Sequence, residues 1–202
     1  VCSACLFLLE YMLQAVDEFG DEDDEPFGDE DERDATKVAT CKALMAPLLV
    51  AVERFSLTEP QNTEASVFVD DDAPWGFFLR AVRCLGSFSL VDNCIVVMIE
   101  GGACRLTVAG IRFWKGSTDA VSCAMELISN LAAIEDDELD EAMTEVMIKE
   151  EALEAVIFVM NTYDTNVPVL LVTYEALYNI GNDDEAAGIL VDVTHLTDQA
   201  HW

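Results

Sequence analysis

The sequence repeats itself, and that constrains its fold more than any other feature. Displaced by 49 positions without a gap, residues 99–132 fall on residues 148–181. The displacement pairs Ile99 with Ile148, Ala103 with Ala152, Val108 with Ile157, Glu126 with Glu175, Asn130 with Asn179 and Leu131 with Ile180. Residues 48–55 also fall on residues 106–113, with Leu, Val, Ala, Arg and Phe kept at five of eight positions. A third match sets Cys84-Leu85-Gly86 on Asn130-Leu131-Ala132, 46 residues further on. A unit of this size cannot bury its own apolar face, so such units must stack on one another.

The units are helical. Val121, Ala124, Met125, Ile128, Leu131 and Ala132 recur at intervals of three and four, the stripe of a helix buried on one side. The matching helix of the next unit has Asn166 placed to cap it and Pro168 in its first turn, where a missing N–H costs nothing. Leu170, Leu171, Tyr174, Leu177 and Tyr178 are expected to form its buried side. Turn-rich links at residues 115–119 and 162–166 return the chain, and no stretch alternates like a strand over a useful length.

Ile148-Lys149-Glu150-Glu151-Ala152-Leu153-Glu154-Ala155-Val156-Ile157, a polar link, and Tyr174-Glu175-Ala176-Leu177-Tyr178-Asn179-Ile180-Gly181-Asn182 together resemble an armadillo repeat. Met98-Ile99-Glu100-Gly101-Gly102-Ala103 is similar to the turn between the first two helices of that family, and Ser129-Asn130-Leu131-Ala132 to the end of its third. The resemblance covers residues 90–182, extends to 40–87, and touches 3–16. It implies an all-α, right-handed α-solenoid of about three to four armadillo-like repeats.

The expected organisation is a partial repeat helix at 1–16, an acidic disordered loop at 17–34, and repeats at 35–88, 89–133 and 134–182. A further repeat or C-terminal cap is expected to begin at 183–202, and an insertion at 58–72 interrupts the first full repeat. The start at Val1 is expected of a segment cut from a longer chain. Of the net charge of −30, residues 17–34 carry eleven units, twelve acidic residues against one Arg. The remaining nineteen lie on and around the repeats, so acidity is expected to coat the array.

That charge argues against a phosphate backbone or an anionic membrane as partner, since Lys and Arg nowhere cluster. No apolar run approaches the ~20 residues that cross a bilayer; the run that includes residues 44–52 is about half that length. Because 52% of the residues are hydrophobic, disorder is not the expected main state. Seven cysteines in mostly apolar settings are expected to be reduced and buried, in a cytoplasmic or nuclear compartment. Cys2 and Cys5 have the spacing of half a zinc site, but the only histidines, His195 and His201, lie at the far end. No nucleophile elbow, phosphate loop or zinc-protease motif occurs, so no enzyme activity, cofactor or metal is expected.

Binding fits better. In the family this chain resembles, an Asn near the end of each third helix faces the concave groove and bonds the backbone of a bound peptide. Asn130 and Asn179 hold that position. The nuclear-import members carry Trp four residues earlier, where this chain has Glu126 and Glu175, and Arg80 before Cys84 in the preceding unit. The expected groove is therefore Asn130, Asn179, Glu126, Glu175, Arg80 and Cys84, an acidic surface for Lys or Arg side chains. The plainer alternative is that the asparagines cap helix ends or bond a neighbouring loop and the glutamates are solvated. The expected function is a scaffold or adaptor for a basic or extended polypeptide. The alternatives are a structural subunit of a large assembly, and adaptation of the surface to high salt, suggested by only four lysines. Aromatic side chains at helical spacing, Phe78, Phe88, Phe113, Trp114, Phe158, Tyr174 and Tyr178 among them, are expected in the core, with Trp75 and Trp202 as partner contacts.

Overall fold

In a computed structural model, residues 30–56, 74–90, 92–134 and 136–181 are described, and every regular element among them is helical. Helix α1 (Glu30–Ala51) runs into a π-helical turn (Val52–Ser56) and is followed by α2 (Pro74–Phe88). Then come α3 (Asp92–Gly101), α4 (Ala103–Phe113), α5 (Thr118–Leu131), α6 (Asp137–Lys149), α7 (Ala152–Thr162) and α8 (Val167–Ile180). The expected repeat helix at 1–16, the insertion at 58–72, the segment 183–202, Trp202 and the side chain of Trp75 lie outside what is described. Of the expected acidic loop at 17–34, residues 30–34 instead belong to the first turns of α1. Among the described residues no single helix is long and apolar enough to cross a membrane.

The triplet α3–α4–α5 and the triplet α6–α7–α8 are built alike, down to single backbone residues. Ser117 caps α5 by accepting from the Ala120 N–H at 3.4 Å, and Asn166, 49 positions later, caps α8 by accepting from Val169 N–H at 3.3 Å. Gly102 enters α4 in the left-handed conformation (φ 78°), and Glu151, its counterpart, enters α7 the same way (φ 59°). A side chain in that region is strained, so the repeat geometry prevails over local preference at Glu151.

Each helix packs against its counterpart one unit on: α3 with α6, α4 with α7, and α5 with α8, while α2 lies along α5. One continuous core results, running from Cys41 to Ile180. In the first unit α1 continues through Pro47 as one helix where the later units have two. Pro47 removes one backbone donor in mid-helix, and the helical pitch loosens into the π turn a little beyond it.

The core fits by volume as well as by hydropathy. A Cβ on Gly110 of α4 would collide with the ring of Phe78 on α2, so the ring rests on bare backbone. The counterparts of this pair in the next unit are Ala124, 46 positions after Phe78, and Val159, 49 after Gly110; both are fully buried. Large against nothing in one unit becomes small against larger in the next. Gly110→Ala is expected to lose about 1–3 kcal/mol, read from the urea midpoint, with Phe78→Leu recovering part of it in the double mutant. Additive losses would show that the ring is not what the glycine accommodates.

Candidate interaction surfaces on the third helices

The six residues expected to form a binding surface all lie on α2, α5 or α8, but in different environments. Glu126 and Glu175 are exposed, and Arg80 is half-buried. Asn130 and Asn179 are half-buried, each one turn beyond its glutamate and on the same helix face. Cys84, expected at the surface beside Arg80, is instead fully buried. Its position in the repeat is filled by a small apolar group in the core, so it presents nothing to a ligand.

The asparagines reach backwards along the array. Asn130 Nδ2 donates to Ser89 Oγ at 3.3 Å, and Asn179 Nδ2 donates to Ser129 Oγ at 3.0 Å and to the Ser129 carbonyl at 3.2 Å. Ser129 and Ser89 are themselves buried, and Ser89 Oγ donates on to the Gly86 carbonyl at 2.7 Å. The amide N–H groups thus tie the end of each third helix to the end of the one before. Among the described residues no group donates to either Oδ1.

Two further contacts span about one unit. Tyr163 Oη donates to the Lys115 carbonyl across 48 residues, joining successive turns, and Arg112 pairs with Glu151 at 2.7 Å across 39 residues. The sequence gives a sign of these only in hindsight: donor and acceptor stand roughly one repeat apart. Ser129 sits beside Asn130 in the repeating motif, yet nothing in its residue type identifies it as the partner of an amide in the following unit.

The clearest departure from expectation is on α8. Leu171 is 65% exposed, Tyr174 52% and Tyr178 68%, with Val167 at 63%. The buried side is Val169, Thr173, Ala176 and Ile180. These two stripes are offset by two residues, about 200° around a helix, so α8 has two apolar faces and buries the smaller one. Thr173 enters the core by donating to the Val169 carbonyl at 2.6 Å. Phe78 and Phe88 are buried as expected, while Phe113, Trp114 and Phe158 are half-buried.

The described thiols are all free, and four of the five, Cys41, Cys84, Cys94 and Cys104, are buried. Burial pushes Cys84 up to about 12, and burial with the nearby Glu150 charge does the same for Cys104. A hydrogen bond with Cys94, then burial, raises Cys41. Among the described residues no group of three His, Cys, Asp or Glu side chains could hold a metal ion. An open cleft of about 580 Å³ at the α4–α5 turn is lined by Phe113, Trp114, Gly116, Ser117, Thr118 and Asp119. Comparison with protein-family models, with curated proteins and with solved structures finds no match for this chain.

Replacing Asn179 by Ala leaves the buried Ser129 hydroxyl without its donor, while the Ser129 carbonyl keeps the Ala132 N–H, and is expected to cost about 1–2 kcal/mol, seen as a lower melting temperature. An unchanged melting temperature would show the amide is not part of the stack. The thiols set a pH dependence. Above the ordinary thiol range the unfolded chain releases protons that the folded chain keeps, so stability falls as pH rises from about 9 to about 12. In Cys104→Ala that fall should be shallower; an identical slope would assign it to other groups.

Proposed function

We propose that the chain is a segment of an armadillo-like α-solenoid that acts as a non-enzymatic scaffold or adaptor for a basic, extended polypeptide. The observation that carries this reading is the in-register stacking of like helices, third on third, with side-chain hydrogen bonds between units at separations of 41, 48 and 50 residues. An array of this kind presents its third helices as one continuous surface, the usual binding face of solenoids. Glu126 and Glu175 project from that surface one unit apart, each a turn from an asparagine whose side-chain carbonyl has no donor among the described residues. The glutamates suit Lys or Arg side chains of a bound segment, and the carbonyls suit its backbone N–H groups.

The setting of the asparagines shifts weight within this reading. Their donors serve the stack, so selectivity for the partner falls chiefly to the two glutamates. A second reading, a structural subunit held permanently in a large assembly, is favoured by the exposed apolar residues of α8, which a transient peptide adaptor does not need.

A labelled extended peptide alternating Lys with Gly and Ser tests the first reading. Glu126→Lys with Glu175→Lys should weaken its binding by about tenfold or more, and raising salt toward 0.5 M should release it, since exposed charges are screened beyond about one Debye length. The melting temperature should not fall, because both side chains are exposed. Binding that ignores both salt and charge reversal would remove the acidic groove.

A further inference from the structure

The C-terminal half of the exposed stripe on α8 is the counterpart of a surface that is covered one unit earlier, while the counterparts of Val167 and Leu171, Thr118 and Ser122, are exposed and half-buried. Tyr174 and Tyr178 correspond, 49 positions back, to Met125 and Ser129 of α5, which are 0% and 3% exposed. α5 lies between α2 and α8, and Ser129 is the residue that Asn179 of α8 grips. The same register on α8 has no helix over it among the described residues, and it carries larger apolar side chains than α5 does.

We propose that Val167, Leu171, Tyr174 and Tyr178 form a docking face for an amphipathic helix of a basic partner protein, laid along α8 as α8 is laid along α5. The inference uses the observed stacking of α2, α5 and α8 and the charge around α8, and stands or falls separately from the peptide groove. The array itself specifies the occupant's inner stripe. What α8 offers to the core it shares with α5 and α7 is a row of small and β-branched residues, Val169, Thr173, Ala176 and Ile180, and Asn179 donates to α5 near its end. Tyr178 holds the register position on α8 that Ser129 holds on α5, and its hydroxyl can accept from an amide of the docked helix.

Charge selects the occupant's outer residues. Residues 150–181 hold five Asp and Glu and no Lys or Arg. A helix docking here meets an acidic surround, so Lys and Arg on its flanks are attracted. A second copy of this chain brings a further −30 and is repelled.

The probe is a fluorescein-labelled peptide of about 16 residues on an Ala/Lys background, with Val, Thr, Ala, Asn and Ile at the α8 spacing; a Glu-for-Lys version is its control. Saturable binding to the full chain is expected. It should weaken by about tenfold or more in Leu171→Ser/Tyr178→Ser and by a similar factor for the Glu peptide. The melting temperature of the double variant should stay unchanged, as both residues are exposed. The proposal is overturned if neither peptide binds saturably, or if wild type and variant bind alike. It is also overturned if sedimentation shows a wild-type dimer that the double variant dissociates, because the face then belongs to a second copy. Lys-peptide binding that appears only after removal of residues 182–202 would give the face to this chain's own segment, with the same consequence.

Discussion

The fold depends on the packing of one third helix against the next. α5 has neighbours on two opposite sides, α2 and α8, and its residues Ala120, Val121, Ala124, Met125, Leu127, Ile128 and Leu131 are all buried between them and the other helices of its unit. A helix of 14 residues is marginal alone in water, and it is the burial of both faces that makes α5 stable. The amides of Asn130 and Asn179 add register to this packing. An apolar face slides with little penalty, whereas an amide placed on a buried serine fixes one axial position, because any slip strands a buried polar group.

Around that axis the units tolerate change where volume is conserved between neighbours. The bare backbone of Gly110 receives the Phe78 ring, and the corresponding site in the next unit combines Ala124 and Val159. The left-handed turn before the second helix is taken by glycine once and by glutamate once. Glu151 gains an ion pair with Arg112, but both partners are about half exposed, so the pair offsets little of the strain. The packing of α7 on α4 holds the turn in place.

Acidity is arranged on this scaffold unevenly. The charged groups of α2 are Arg80 and Arg83, those of α5 are Asp119 and Glu126, and α8 has Glu175 alone. The third-helix surface therefore turns from positive to negative along the stack. Residues 150–181, where the exposed apolar stripe lies, hold five acidic residues and no Lys or Arg. An apolar strip within an acidic surround discourages self-association while favouring a basic helix.

The helices, the cap at Asn166 and the 49-residue correspondence were legible in the sequence by itself, because capping and periodicity are local properties. The acidic character and the exposure of Glu126 and Glu175 were legible too, since charged side chains stay in water unless paired. The inward face of α8 was not. Hydropathy favours burying Leu171, Tyr174 and Tyr178, yet the tertiary structure buries Val169, Thr173, Ala176 and Ile180, because the close packing of α8 on α5 and α7 takes small and β-branched residues and Thr173 satisfies its own hydroxyl. The role of the asparagines likewise emerged only on stacking, which brings Ser89 and Ser129 within reach of amides 41 and 50 residues away. A sequence determines how many apolar stripes a helix has; which of them is buried is decided by the shape of the neighbour it meets.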